Sequence, residues 1–281
     1  MILLWKIPQS ELTLAEKDIH VWRADLDLPL IGFQKLYQTL SVDERVRAKR
    51  FHFEKDRKRF IARHGILRTI LGCYLNVEPS RLQFSYGKNG KPALADTFGK
   101  EAILFNMSDS EDLAIYGFTR DHEIGVDIEH IRDIPEMDQI AERFFSAREN
   151  GVFRSLPENT KKEAFFNCWT RKEAFMKAIG EGLFYPLNRF EVSFSPDEPS
   201  RLLSMGGDPE LASQWLMLSL QPVAGFTAAL AIKGHGWRLH FWQWPDQATT
   251  NLAFQRMPKW LSVKNEKNST LGGSRCPSRI N

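Results

Sequence analysis

Cysteine is scarce. Cys73, Cys168 and Cys276 are the only three, none sits in a CxxC pair, and one thiol is necessarily left over. Neither a disulfide framework nor a zinc site is expected, and a reducing, cytoplasmic setting is. Long apolar runs are also missing: nothing approaches the length of a bilayer span, and residues 1–5 give way to Lys6 too soon for a secretory apolar core. The sequence therefore predicts no membrane partner. An excess of one charge sign is absent from the body of the chain as well. The net charge of +3 comes from residues 246–281, which hold six Lys/Arg against two Asp/Glu, while residues 1–245 carry −1. Duplex nucleic acid calls for a basic face or stripe, so no nucleic-acid partner is expected. GxSxG, Walker A and GxGxxG patterns do not occur, which removes support from the common hydrolase, P-loop and Rossmann readings. The seven histidines show no HxxxH or other metal-ligand spacing and are read as surface or satisfied core residues.

What is present suffices for a large core. Of 281 residues 42% are hydrophobic, with eight Trp and twenty Phe, enough for one large domain or two small ones. Ser41-Val-Asp-Glu44 has the spacing of a capping box, and Phe60, Leu67, Leu71 and Tyr74 recur at helical intervals, predicting a helix over roughly 55–76 with basic residues on its other face. Strand-like runs follow at 82–86, 102–106, 113–118 and 123–129. The second half repeats this order, with helical signals across 137–180, a second capping box at Ser146-Ala-Arg-Glu149, and strand-like runs at 189–194, 215–220, 226–232 and 237–244. The reading is α+β with two similar subdomains, 1–120 and 121–245. Residues 246–281, polar and rich in Gly and Ser, read as a disordered basic tail without function.

Three segments carry chemistry. In Ile124-Gly125-Val126-Asp127-Ile128-Glu129, strand alternation sets three apolar side chains on one face and both carboxylates on the other, about 7 Å apart along the chain. Such a pair could help hold Mg²⁺, or could equally be the solvated face of a half-buried strand. Trp169, Glu173 and Lys177 fall four apart on one helical face, either as part of that site or as an ordinary Glu–Lys pair. Gly87-Lys88-Asn89-Gly90-Lys91-Pro92 is a turn by composition whose backbone N–H groups and two lysines could also grip a phosphate. Gly180 and Gly182 read as a helix stop.

In order, Gly90-Lys91-Pro92, Phe105-Asn106-Met107-Ser108-Asp109-Ser110, the 124–129 strand, Phe145-Ser146-Ala147-Arg148-Glu149 and the 169–183 helix resemble the signature series of the Sfp-type 4′-phosphopantetheinyl transferases. The resemblance extends upstream through 47–51 and 56–68 and downstream to about 245. It implies an enzyme that moves the phosphopantetheine arm of coenzyme A onto a serine of an apo acyl or peptidyl carrier protein, releasing 3′,5′-ADP. By the same resemblance the fold is two pseudo-symmetric α+β subdomains with coenzyme A and Mg²⁺ in the cleft between them, in a monomer. Asp127, Glu129 and Glu173 match the family's metal positions, and Lys177 its helix lysine, placed to stabilise or protonate the departing phosphate. The carrier serine must lose a proton, which assigns Glu173 as base, with Glu129 or a metal-bound water as substitutes. Arg47, Lys88, Lys91 and Ser108 match coenzyme A contacts. Ser108-Asp109-Ser110 departs from the family's Ser-His-Ser, setting a carboxylate where a histidine would meet the 3′-phosphate, so weaker coenzyme A binding is expected unless a neighbouring arginine compensates. A non-catalytic coenzyme A or nucleotide-binding module and a Mg²⁺-dependent phosphohydrolase remain as alternatives.

Overall fold

Two serines start the same construction twice. The protein, described by a computed structural model at residues 4–8, 12–87, 90–95, 103–120, 122–180, 185–195 and 198–245, leaves Lys88, Gly182 and the expected tail outside the described residues. Its first half runs β1 (Asp18–Asp25), α1 (Leu30–Thr39), α2 (Val42–Ala48), α3 (Glu54–Leu75), a 3-10 turn (Pro79–Arg81), β2 (Phe84–Tyr86), β3 (Pro92–Leu94), β4 (Leu104–Ser110) and β5 (Leu113–Thr119). The second runs β6 (Ile124–His130), α4 (Met137–Phe144), α5 (Ala147–Ser155), α6 (Glu158–Ile179), a 3-10 turn (Leu187–Arg189), β7 (Phe190–Val192), β8 (Leu202–Met205), α7 (Pro209–Ser213), β9 (Trp215–Leu220) and β10 (Phe226–Lys233).

The repetition reaches individual side chains. Ser41 and Ser146 each accept a hydrogen bond from the backbone N–H three residues on, and Glu44 and Glu149 each reach back to the serine's own N–H, closing both capping boxes. Each capping glutamate then turns inward onto a cation of the long helix behind it. Glu44 accepts from Arg68 Nε at 2.6 Å, and Glu149 meets Lys172 Nζ at 2.8 Å. Arg68 also donates to the carbonyls of Pro79 and Leu82, and Lys172 to those of Leu187 and Phe190, so each buried cation ties its helix to the following 3-10 turn. Both long helices have 22 residues and end on a left-handed residue, Asn76 at φ 52° and Gly180 at φ 73°. Burial works to raise the Glu44 carboxyl, but His64, Arg68 and the Ser41 N–H outweigh it and bring it down to about 2. For Glu149 burial wins over Lys172, and its carboxyl lies above the ordinary value.

Each half builds an antiparallel three-stranded order, β1-β5-β4 and β6-β10-β9. The last strand, β11 (Arg238–Gln243), which sequence order puts with the second half, instead pairs in parallel with β1 of the first. Between the sheets lies one apolar cluster, with Ile19, Val21 and Ile115 meeting Ile124, Val126, Ile128 and Leu230. Trp22, Tyr116 and Phe118 face Ile66, Leu67 and Ile70 of α3, while Ala229 and Ala231 face Ala174, Phe175 and Ala178 of α6. The expected basic face of α3 is confined to its first turns. From Phe60 to Gly72 nearly every residue is buried, Arg68 included, because α1, the sheet and the 3-10 turn enclose the helix. Among the described residues no helix is long and apolar enough to cross a membrane.

One glycine fixes how closely β6 approaches α6. A Cβ on Gly125 would stand 1.9 Å from the Ala174 carbonyl oxygen and 2.5 Å from the Ala178 nitrogen, both rigid helix backbone. Gly125→Ala is therefore expected to push strand and helix apart and to lower stability by about 3 kcal/mol in urea unfolding, the upper end for an overpacked core. Glu44 supplies a pH signature. A carboxyl held at about 2 contributes stability that is complete above its unfolded value and lost as pH falls through its folded one. Glu44→Gln should lose about 3 kcal/mol at neutral pH and should remove that component of the wild-type stability decline between about pH 4.5 and 2.

Candidate active site

The two sheets meet along β4 and β6, and side chains bridge them there. Asn106, Ser108 and Ser110 alternate along β4, so all three point toward β6. Asn106 Oδ1 accepts from Val126 N at 2.9 Å, Ser108 Oγ donates to Asp127 Oδ1 at 2.9 Å, and Ser110 Oγ donates to Glu129 Oε2 at 3.1 Å while accepting from His130 N. The carboxylates of β6 are thus positioned by the first half of the chain. The solvated face expected as the bland reading of this strand is not what forms: Asp127 is only 5% exposed.

Helix α6 covers the same face of β6. Because Gly125 lets it come close, Lys177 reaches Asp127 Oδ1 at 2.7 Å and Ser108 Oγ at 2.9 Å, so lysine, serine and aspartate form a closed triangle. Glu173, one turn back, lies near enough to feel both strand carboxylates. Burial, then the charge of Asp127, hold the Glu173 carboxyl above the usual range against the pull of Lys177, with Glu129 adding to the rise. Glu129 is raised by burial and by Asp127, and Asp127 by burial, which outweighs Lys177 and Ser108. Among the described residues none donates a hydrogen bond to the Glu173 carboxylate. With Asp127 raising both glutamates and Glu129 raising Glu173, the site favours a cation or a proton among the three carboxylates.

A hard cation fits on one direct observation. Asp127 Oδ2 is buried with no hydrogen-bond partner, and the side chains beside it that could ligate a cation, Ser108, Glu129 and Glu173, offer oxygen. Oxygens of Asp127, Glu129 and Glu173 do not all come within 4.8 Å of one another, a closeness reached among the described residues only by Asp18, His20 and His240 on the other sheet.

The remaining sequence candidates divide. Lys91, at the edge of β3, donates to Glu123 at 2.6 Å and to the Lys177 carbonyl at 2.9 Å, so it joins the hairpin to the end of α6 beside the site. Arg47 is exposed on α2, its guanidinium 5.5 Å from the Phe60 ring centre. Asp109 points to the opposite side of β4 from Ser108 and is paired with Arg63 of α3. The arginine beside Asp109 is therefore Arg63. Lys88 lies outside the described residues. Sequence reasoning missed Arg63, Ser110, Asn106, Glu123 and Arg132, the last 3.4 Å from Glu129. For Asn106 and Ser110 a signal existed, since they share the two-residue alternation of Ser108.

Comparison with known proteins gives the same direction as this geometry. Residues 123–231 match the 4′-phosphopantetheinyl transferase superfamily, and residues 30–117 match the 4′-phosphopantetheinyl transferase N-terminal family. The chain is 41% identical over 240 residues to 4′-phosphopantetheinyl transferase HetI of Nostoc sp., covering 85% of this chain and 98% of that one. It is 29% identical over 164 residues to 4′-phosphopantetheinyl transferase Sfp of Bacillus subtilis, covering 58% of this chain and 70% of that one. Among solved structures, the holo-[acyl-carrier-protein] synthase of Thermotoga maritima aligns at TM-score 0.31 and 19% identity, over 41% of this chain and 64% of that one. With the site assembled from both halves and a relative matched over nearly its whole length, the chain belongs to the 4′-phosphopantetheinyl transferase family.

Proposed function

We propose that the β4–β6–α6 cleft transfers the phosphopantetheine arm of coenzyme A to a serine hydroxyl of an apo acyl or peptidyl carrier protein, with 3′,5′-ADP leaving. The observation that carries this reading is the junction of Ser108, Asp127 and Lys177, drawn from three elements, beside two further carboxylates. Asp127, Glu129 and Glu173 would hold Mg²⁺, which when bound neutralises pyrophosphate charge. Lys177, already fixed on Ser108 and Asp127, stands to donate to the phosphate oxygen on which charge accumulates as the bond to the pantetheine phosphate breaks. Glu173 takes the serine proton. Its lack of a hydrogen-bond donor suits a general base once it disengages from Mg²⁺, whereas Asp127 is engaged by Lys177 and Ser108. Lys91 borders the cleft as a cation for the nucleotide phosphates, and Arg63, paired with Asp109 on the far side of β4, stands as the cation for the 3′-phosphate. Two subdomains, 1–120 and 121–245 with β11 lent to the first, would supply one wall each, so a cytoplasmic monomer would be complete.

The decisive test is intact-mass analysis of an apo carrier protein incubated with the enzyme, coenzyme A and Mg²⁺. Wild type is expected to add one phosphopantetheine, Glu173→Gln to slow transfer by about 10²–10⁴ while still binding coenzyme A, and removal of Mg²⁺ to stop it. Hydrolysis of coenzyme A without any carrier gain would instead support a phosphohydrolase. Stability should move the other way. A carboxyl raised on folding contributes stability below its unfolded value and loses it as pH rises through the folded one, so at neutral pH Glu173 is a burden. Without Mg²⁺, Glu173→Gln is expected to raise the melting temperature at pH 7 and to leave it little changed near pH 4.

The departure at Asp109 has its own test. With Arg63 held by Asp109, Asp109→Ala should free the guanidinium for phosphate and lower KM for coenzyme A several-fold, by about 1 kcal/mol, the size of a partly exposed pair. The 3′-dephospho form should not gain. Equal gains for both forms would remove the 3′-phosphate from this explanation.

A further inference from the structure

A second group of ligand-type side chains lies on the first sheet, away from the carboxylates of the cleft. Asp18 and His20 are two residues apart on β1, and His240 is the parallel-register partner of His20 on β11, so all three share the face toward α3. One nitrogen from each imidazole and one Asp18 oxygen lie within 4.8 Å of one another. The two rings stand 4.7 Å apart between centres. No function assigned above uses any of these residues.

Each member is prepared as a ligand. His20 is 3% exposed, and its Nδ1 is 2.7 Å from the Tyr74 hydroxyl, which also accepts from Trp22 Nε1 at 2.9 Å. This contact holds the ring in a fixed orientation, as the partners behind a metal-binding histidine do. Burial, with His240 adding to it, lowers His20 to about 4, so the ring is neutral at physiological pH. His240 Nε2 is shielded from solvent without a hydrogen-bond partner, 3.6 Å from Asp18 Oδ1. A buried nitrogen left unpaired costs free energy that a cation would offset. Asp18 is anchored by the Ala15 N–H on Oδ2 and by Arg238 Nε at 2.7 Å on Oδ1. Burial pushes its carboxyl up, and Arg238 with the Ala15 N–H outweighs that, so it is ionised. Arg238 is 60% exposed on its side chain and can swing into solvent when a cation takes its place.

We propose that Asp18, His20 and His240 form a binding site for a first-row divalent metal of the zinc type, joining β11 to β1. Two imidazoles and one carboxylate select zinc, cobalt or nickel over magnesium, whereas the cleft offers oxygen donors alone. The chain thus sorts two classes of cation between two places. Because the ligands come from strands more than 200 residues apart in sequence, no spacing rule for histidines could reveal them.

The test is a Co²⁺ titration of the chelator-stripped full chain in excess Mg²⁺, followed by visible absorption and repeated with Zn²⁺ by calorimetry. Wild type should take up one Co²⁺ with a ligand-field band, and Asp127→Asn, which alters the cleft, should do the same. His240→Gln, at a partly exposed position, should bind at least about tenfold more weakly. Arg238→Gln should bind as tightly as wild type or more tightly. Zn²⁺ should raise the melting temperature of wild type and not of His240→Gln. The proposal fails if wild type shows no band, if the band survives unchanged in His240→Gln, or if it is lost in Asp127→Asn.

Discussion

The seam between β4 and β6 is the constraint on which the molecule depends. Two sheets with a shared apolar interior meet at these strands without a backbone ladder, so side chains of Asn106, Ser108 and Ser110 supply the hydrogen bonds that a ladder would have made. Polar side chains at a buried junction must be satisfied, and here the strand carboxylates satisfy both serines while the Val126 N–H satisfies Asn106. The same groups that join the halves therefore position the chemistry. Gly125 completes the arrangement from the other side by admitting α6 to within contact of the strand, which brings Lys177 over Asp127.

The two halves differ where function requires it. In both, a capping glutamate is buried against a cation at the fifteenth position of a 22-residue helix. By the same count Glu173 and Lys177 of α6 correspond to Thr69 and Cys73 of α3. The first half keeps a neutral helix face there, with Thr69 bonded to the Gly65 carbonyl, and the second carries the charges. A common frame, paired and buried in both copies, thus supports ionised groups in only one.

Much of this was legible in the sequence. Both capping boxes, the paired carboxylates, the Glu173–Lys177 face and the repeated order were visible because each rests on local spacing. What escaped was set by tertiary contact. Helix α1 buries only Leu36 and leaves Leu30 and Ile31 exposed, so its apolar pattern names no single face. Short strands β3 and β8 hold three and four residues, too few to show alternation. The Arg63–Asp109 pair, the Lys91–Glu123 pair and the assembly of His20 with His240 join residues from different elements, and no periodicity records them.

The parallel pairing of β11 with β1 also orders events in time. The first sheet has all its other strands by Thr119, yet the edge of β1 stays open until Gln243 has been made. At about 5–20 residues per second, that interval is roughly six to twenty-five seconds of synthesis. During it a strand bearing Ile19, Val21 and Trp22 offers unpaired backbone to any neighbouring chain. The nascent first half is thus the stage at which this protein is most exposed to mispairing, and β11 is the segment that ends it.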